Sequence, residues 1–149
     1  MARPGSAFVA AQFALFALIA LSPRFVHSDW PWIVRAPGLV LAGAGLALCV
    51  WAIRALGPAM TAMPEPREDV PVATGGPYAF VRHPVYSGAV AVGIGYSLAR
   101  CTWAGLVFSA VLAVLFDLKS RYEERLLIRD SAYVAYRART PRRFLPRLY

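Results

Sequence analysis

The residues of this chain best suited to chemistry lie at the edges of two apolar segments. The motif Arg82-His83-Pro84-Val85-Tyr86-Ser87-Gly88 precedes one segment, and the acidic pair Glu123-Glu124 follows the other. Polar and ionisable side chains are costly beside a bilayer, so their presence there points to a function. We therefore expect one pocket to collect both groups at the same end of two membrane helices, which favours a membrane enzyme over a passive membrane segment.

The acidic pair belongs to a polar run that predicts the end of a membrane helix. Lys119 lies four residues before Glu123, so the two side chains share a helix face, and another face carries Asp117, Arg121 and Glu124. At this spacing the charges form either surface ion pairs or a binding site. In a binding site, a carboxylate would hold a ligand's ammonium and a cation would hold a substrate's anion.

The loop between the two halves of the chain, residues 57–84, supplies the remaining polar groups. Its prolines and Gly75-Gly76 predict turns rather than helix. Pro84 suits the first turn of the next helix, so His83 would lie at a helix N-terminus, which favours a carboxylate or another anion. A plain helix start with an interfacial His83 and Tyr78 fits equally well. No His, Cys, Asp or Glu spacing predicts a metal site.

Hydropathy predicts an all-α integral membrane protein with about four transmembrane helices. Of 149 residues, 58% are hydrophobic and 16% charged, which is too apolar for a soluble domain of this size. The length allows one domain, 1–149, and a cytoplasmic tail, 119–149, whose helical extension we expect to close the pocket. A spanning helix needs about 20 apolar residues, so the shorter segments depend on their flanks. The predicted helices cover residues 6–21, 33–56, 85–99 and 101–118.

The distribution of Lys and Arg predicts that both termini and the central loop are cytoplasmic. With four spans, that side carries thirteen of the sixteen basic residues, and the other side carries Arg24, Arg35 and Arg100. In membrane proteins, Lys and Arg are enriched in the loops on the cytoplasmic side. The basic residues that give the net charge of +8 therefore flank the membrane spans. We expect them to face the lipid bilayer as partner rather than nucleic acid.

Small and aromatic residues predict how the helices pack and how the site is covered. Gly38, Ala42 and Gly45 share one face of the second helix, and Ala89 and Gly93 share one face of the third. Such faces let helices approach closely in lipid. The tail residues placed to cover the site are Tyr133, Tyr136, Phe144 and Leu145.

A series of motifs follows in the second half of the chain: Gly76-Pro77-Tyr78, Arg82 to Gly88, Glu123-Glu124-Arg125-Leu126-Leu127, Tyr133-Val134-Ala135-Tyr136 and Thr140-Pro141. In this order the motifs resemble the isoprenylcysteine carboxyl methyltransferase family and its relatives, the phospholipid N-methyltransferases. The resemblance covers roughly residues 70–149 and does not extend to the first two helices. It implies that S-adenosylmethionine is the methyl donor and binds at the cytoplasmic face.

The resemblance also implies roles for individual residues. The residues expected to bind S-adenosylmethionine are Tyr78, His83, Pro84, Val85, Tyr86, Gly88 and Glu123. The residues expected to act in catalysis are Lys119, Glu124 and Arg82. Lys119 stands where many members of the family place an Arg that contacts the substrate.

Together these features predict an S-adenosylmethionine-dependent methyltransferase that acts at the membrane on an apolar or lipid-like acceptor. An isoprenylcysteine-type carboxylate is one candidate acceptor. Methyl transfer from a sulfonium requires mainly proximity and orientation. A carboxylate acceptor needs no base, whereas an amine or a thiol must lose a proton, for which His83, Glu124 or Tyr86 is available. The sequence leaves the acceptor open among these three groups, and it leaves the oligomeric state open.

Two other functions also fit the sequence. The tail, residues 141–149, resembles the end of membrane sterol reductases, which use NADPH. The acidic pair favours the methyltransferase, because carboxylates suit a ligand with an ammonium better than one with a 2′-phosphate. The third alternative is a non-enzymatic membrane protein.

Overall fold

The described part of the computed structural model, residues 4–25, 27–57, 61 and 72–144, contains helices and no strands. This confirms the predicted all-α class. Short 3₁₀ helices cover Ser22–Arg24 and Gly76–Ala79. The α-helices of these described ranges are α1 (Pro4–Leu21), α2 (Trp32–Leu56), α3 (Pro84–Ala99), α4 (Trp103–Leu127) and α5 (Ser131–Arg139).

Among the described residues, three helices are long and apolar enough to cross a membrane. They are α1, extended through Arg24, and the two 25-residue helices α2 and α4. Helix α3 is also apolar but has 16 residues, which is below the length of about 20 that a span requires. The first three predicted helices form within two residues of their expected bounds, whereas α4 continues nine residues past the predicted end at 118, as the expected helical extension of the tail. The count of four spans stays a prediction.

Local sequence explains where the helices near the site begin and end. Pro84 occupies the first turn of α3, where its missing N–H costs nothing. The side chain of Thr102 accepts a hydrogen bond from the backbone N–H of Gly105 and caps α4. Asp130 caps α5 by accepting from the N–H of Ala132. The connection between α3 and α4 is three residues long, so the two helices form a tight hairpin.

Glycines hold α2 and α3 in backbone contact. A Cβ added to Gly45 would lie 2.7 Å from the carbonyl oxygen of Gly88, and one added to Gly95 would lie 2.3 Å from the backbone nitrogen of Ala42. The predicted small-residue face of α2 is therefore a packing face. Its partners on α3 are Gly88 and Gly95, whereas a Cβ on Gly93 would meet Ser109 of α4.

The helices pack in the order α2, α3, α4, α1. The apolar core lies between α1 and α4. In that core, Leu15 and Ile19 of α1 meet Leu112 and Phe116 of α4. A second cluster lies where α2 ends and α5 begins, and it contains Ala52, Tyr78, Tyr133 and Tyr136. The polar residues singled out from the sequence lie between these two clusters, at the N-terminal end of α3, which we call the site end of the bundle.

Candidate functional site

The site end is closed by a strap, residues 140–144, that follows α5. The backbone N–H of Arg82 donates to the carbonyl of Arg142 at 3.0 Å, and that of His83 donates to Arg143 at 2.9 Å. The hydroxyl of Ser87 donates to the carbonyl of Phe144 at 2.7 Å. The strap thus lies directly over the start of α3. The predicted cover by Phe144 matches this position, whereas Leu145 lies outside the described residues.

Glu124 forms the centre of a buried charge cluster and is only 3% exposed. Nε of Arg82 donates to Oε1 of Glu124 at 2.9 Å, and Nη2 faces Oε2 at 3.4 Å. Arg143 reaches Oε2 at 3.3 Å, and Nε2 of His83 lies 3.1 Å from Oε1. Arg82 also donates to the carbonyl of Thr140 at 2.8 Å. Glu124 and Arg82 therefore neutralise each other while bracing α4, α3 and the strap.

Glu123 has a different set of partners from its neighbour. The hydroxyl of Tyr86 donates to its Oε1 at 2.5 Å, and Nδ1 of His83 lies 3.6 Å from its Oε2. Among the described residues, His83 is the one basic side chain within ion-pair distance of this carboxylate. Glu123 is thus bound by an uncharged phenol and an imidazole, and it is the carboxylate whose charge is less compensated.

Aromatic rings form a stack that joins the core to the strap. The Tyr86 ring lies parallel to Phe116, with centroids 4.4 Å apart, and parallel to His83 at 5.5 Å. The ring of Phe144 in the strap lies 5.8 Å from His83 and is tilted by 39° against it. Stacked faces of this kind bind other planar groups and fix the orientation of the two polar rings.

Three tyrosines close the site on the side of α5. Tyr136 donates its hydroxyl to the carbonyl of Tyr78 at 2.7 Å. Burial raises the pKa of Tyr136 to about 12, with Arg82 lowering it and Glu124 raising it in turn. Burial also raises the pKa values of Tyr78 and Tyr133 above the ordinary value, so all three phenols keep their protons at neutral pH. The hydroxyl of Tyr133 is buried and finds no hydrogen-bond partner in the described part of the chain.

Lys119 lies deeper in the bundle than the acidic pair and is 1% exposed. Its ammonium donates to Oε1 of Gln12 on α1 at 2.9 Å and lies 5.3 Å from the centre of the Tyr86 ring. The predicted alternative of surface ion pairs applies to Asp117 and Arg121, because Nε of Arg121 lies 2.8 Å from Oδ2 of Asp117. It does not apply to the buried Lys119.

The structure brings most of the predicted residues together and places three of them in packing positions. Pro84 is buried at the start of α3, and Val85 packs against the tyrosine cluster. Gly88 lies in the contact with α2, where an added Cβ would be 2.6 Å from Sγ of Cys49. Their expected part in cofactor binding stays a prediction.

Gln12 and Arg143 belong to the site but were not singled out from the sequence, and Thr140 was named there only as part of a motif. Gln12 had a detectable feature, because it is the one amide side chain in an apolar helix of membrane length. Thr140 contributes a backbone carbonyl, which no side-chain pattern reveals. Arg143 is one of many basic residues in the tail, so its charge alone did not distinguish it.

Comparison with known proteins gives two similarities. Residues 33–131, more than half of the chain, match the model of a family described as phospholipid methyltransferase. Over 85 residues the chain is 30% identical to steroid 5-alpha-reductase DET2 of Solanum lycopersicum, which covers 57% of this chain and 32% of that protein. The chain thus spans about a third of the length of this relative.

Proposed function

The chain belongs to the phospholipid methyltransferase family, and from this premise we propose that it is an integral membrane enzyme that uses S-adenosylmethionine to methylate an apolar or lipid-like acceptor. The observation that carries the proposal is the contrast between the two carboxylates of α4. Glu124 is compensated by Arg82 and Arg143, whereas Glu123 is held by a phenol and an imidazole. Glu123 is therefore suited to hold the positive charge of a ligand.

The residues present fit this cofactor. S-adenosylmethionine carries an ammonium and a sulfonium, for which Glu123 offers a carboxylate, and a planar adenine, for which the stack of Tyr86, His83 and Phe144 offers aromatic faces. The buried hydroxyl of Tyr133 offers a further hydrogen-bonding group. When bound, the cofactor supplies a methyl group activated by the sulfonium.

The protein's own contribution is placement, exclusion of water and control of protons. The strap lies over His83 and Ser87 and separates the stack from solvent. An acceptor carboxylate needs nothing more than orientation. For an amine or a thiol, His83 is the candidate base, because it is the imidazole of the site and each of its ring nitrogens faces a carboxylate.

We further propose four spans, with both termini and the site in the cytoplasm. Helix α3 is packed between α2 and α4. The polar residues on either side of its 16 residues can lie in the two interfaces of the membrane, so the segment as a whole can span it. The excess of basic residues on the site side supports this orientation.

A membrane reductase remains the second candidate, because the similarity to steroid 5-alpha-reductase DET2 favours it. The two functions require different ligands. Thermal unfolding of the purified protein with S-adenosylhomocysteine, with NADPH and with neither distinguishes them, because a ligand that binds the native state raises the Tm. We expect stabilisation by S-adenosylhomocysteine. Stabilisation by NADPH alone would contradict the proposed methyltransferase function and support a reductase.

A further inference from the structure

The strap leaves little room for a ligand to enter the site. The side chain of His83 is 9% exposed and that of Glu123 is 14% exposed. The strap lies on the backbone of His83 through a hydrogen bond to the carbonyl of Arg143, and the Phe144 ring lies against the imidazole. A ligand as large as S-adenosylmethionine needs more surface than this, so a part of the site must move before such a ligand can bind.

The strap is better suited to move than the helices beneath it. Helices α3 and α4 belong to the packed bundle, and glycines hold α3 in backbone contact with α2. The strap contacts α3 mainly through hydrogen bonds to its backbone carbonyls, and its residues Pro141 and Arg142 are exposed. Segments held by hydrogen bonds close to solvent open at a lower cost than packed helices. Opening of the strap is therefore the least costly route into the site.

Arg143 ties the strap to α4 through two carboxylates. Its Nη1 lies 3.4 Å from Oδ1 of Asp117, and its Nη2 lies 3.3 Å from Oε2 of Glu124. The two acidic residues are two helical turns apart on one face of α4, so a single guanidinium bridges them. We call this bridge the latch.

The position of Asp117 makes the latch reversible. Its side chain is 27% exposed, and Nε of Arg121 lies 2.8 Å from its Oδ2, so Asp117 has a second partner on its own helix. An ion pair that water can reach contributes little to stability and breaks easily. Asp117 can therefore keep a partner in Arg121 when Arg143 leaves. A contact of this kind favours the closed strap without making closure permanent.

We propose that the strap is the gate of the site and that Asp117 is a positioning residue that holds the gate closed through Arg143. When the latch opens, the strap leaves the start of α3 and exposes His83 and Glu123 to a ligand from solvent. When the latch closes, the strap excludes water from the bound ligand. The identity of the ligand rests on the proposed function, whereas the opening can be measured without any ligand, so the two can fail separately.

The two histidines of the chain make the opening measurable. Diethylpyrocarbonate acylates accessible neutral imidazoles, and mass spectrometry of peptides gives the rate at each ring. His83 lies under the strap, whereas the side chain of His27 is 58% exposed and lies at the other end of the bundle, so it is the internal reference. The full-length protein in nanodiscs should react more slowly at His83 than at His27. Equal rates would show that the strap does not close the site and would overturn the inference.

Three variants separate the latch from the rest of the surface. Asp117→Asn keeps the size of the side chain and removes its charge, and Arg143→Gln removes both contacts of the latch. The matched control is Arg121→Gln, which removes the other partner of Asp117 and leaves the latch in place. Thermal unfolding checks that each variant is folded.

We expect the rate at His83 relative to His27 to rise about two- to fivefold in Asp117→Asn, the effect of losing a partly exposed ion pair. The rise should be larger in Arg143→Gln, which also loses the contact with the buried Glu124. These variants remove charges of opposite sign, so a rise in both cannot come from an electrostatic effect on the imidazole. An unchanged ratio in both, or an equal rise in Arg121→Gln, would overturn the inference.

Binding kinetics of S-adenosylhomocysteine, measured by surface plasmon resonance, give the second readout. The latch closes the strap over the free and the bound site alike, so Asp117→Asn should raise the association and dissociation rates by the same factor and leave Kd unchanged. A merely structural role would change Kd through the dissociation rate alone, and that result would overturn the gate. The expected His83 rates in a protein that does not bind S-adenosylhomocysteine would overturn the proposed function and support the gate.

Discussion

Two adjacent carboxylates of α4 differ in the side chains that surround them, and this difference divides their roles. Glu124 lies among Arg82, Arg143 and His83, so its charge stabilises the fold around the site. Glu123 is bound by Tyr86 and His83 and has charge to offer a ligand. The pair looks alike in the sequence, yet one side chain should act in binding and the other in structure.

Replacement of Glu123 should weaken cofactor binding without unfolding the protein. Glu123→Gln keeps the size and one acceptor oxygen but removes the negative charge. A charge-assisted hydrogen bond contributes roughly 1.5–3 kcal/mol, so we expect the Kd of S-adenosylhomocysteine to rise about ten- to a hundredfold. Isothermal titration calorimetry measures this change, with His83→Ala as a second variant at the same carboxylate. Unaltered affinity in both variants would remove these residues from the cofactor site.

Replacement of Glu124 should instead lower stability. Glu124→Gln leaves the buried guanidinium of Arg82 without its charged partner, and breaking a buried ion pair in this way costs about 3–5 kcal/mol. We expect a clear drop in Tm. The double variant Arg82→Met/Glu124→Gln removes both charges and should recover part of the loss. A single variant as stable as the wild type would show that the pair does not brace the site.

The contact between α2 and α3 sets the position of the site residues, because α3 carries His83 and Tyr86 at its start. Glycines in this contact bring the two backbones together, which fixes α3 against the helix that precedes it. On its opposite side α3 forms the hairpin with α4, which carries both glutamates. The distance between His83 and the acidic pair thus depends on how closely these three helices pack.

A methyl group added in this contact should separate the helices. Gly95→Ala would place its Cβ 2.3 Å from the backbone nitrogen of Ala42, and such overpacking costs typically about 1–3 kcal/mol. The matched control is Gly43→Ala, because nothing lies within 4 Å of a Cβ at that position on α2. We expect a lower Tm for the first variant and an unchanged or higher Tm for the second. Equal Tm values would contradict the close contact.

The bundle as a whole places every predicted site residue at one end, and the proposed topology puts that end in the cytoplasm. The opposite end carries Asp29, whose side chain is fully exposed, and the hairpin between α3 and α4. The start of α5 at Ser131 lies at the site end. These two positions therefore report the orientation of the protein.

Cysteine labelling from each side of the membrane tests this orientation. Ser131→Cys should react with a membrane-impermeant maleimide only when the cytoplasmic face is accessible, and Asp29→Cys only from the outer face. The parent protein is the control, because Cys101 is buried and Cys49 is partly buried. Labelling of position 29 from the cytoplasm would reverse the proposed topology.

The sequence by itself determined the helical class, the membrane-length apolar segments and the motifs that belong to the site. Hydropathy and helix caps act over a few neighbouring residues, so α1, α2, α3 and the start of α4 could be predicted within two residues of their bounds. The resemblance of the motif from Arg82 to Gly88 to a known family likewise depends only on the order of the residues. These properties depend on residues that are close together in the chain, so they can be predicted without knowledge of the fold.

The tertiary structure alone decided which residues meet. Arg82 contacts Glu124 across 42 positions and Lys119 contacts Gln12 across 107, and no periodic pattern links such distant residues. The strap adds contacts through backbone carbonyls, which are the same in every residue type. The separate roles of Glu123 and Glu124 therefore arise from packing, because helical rotation turns two neighbours in the chain towards different partners.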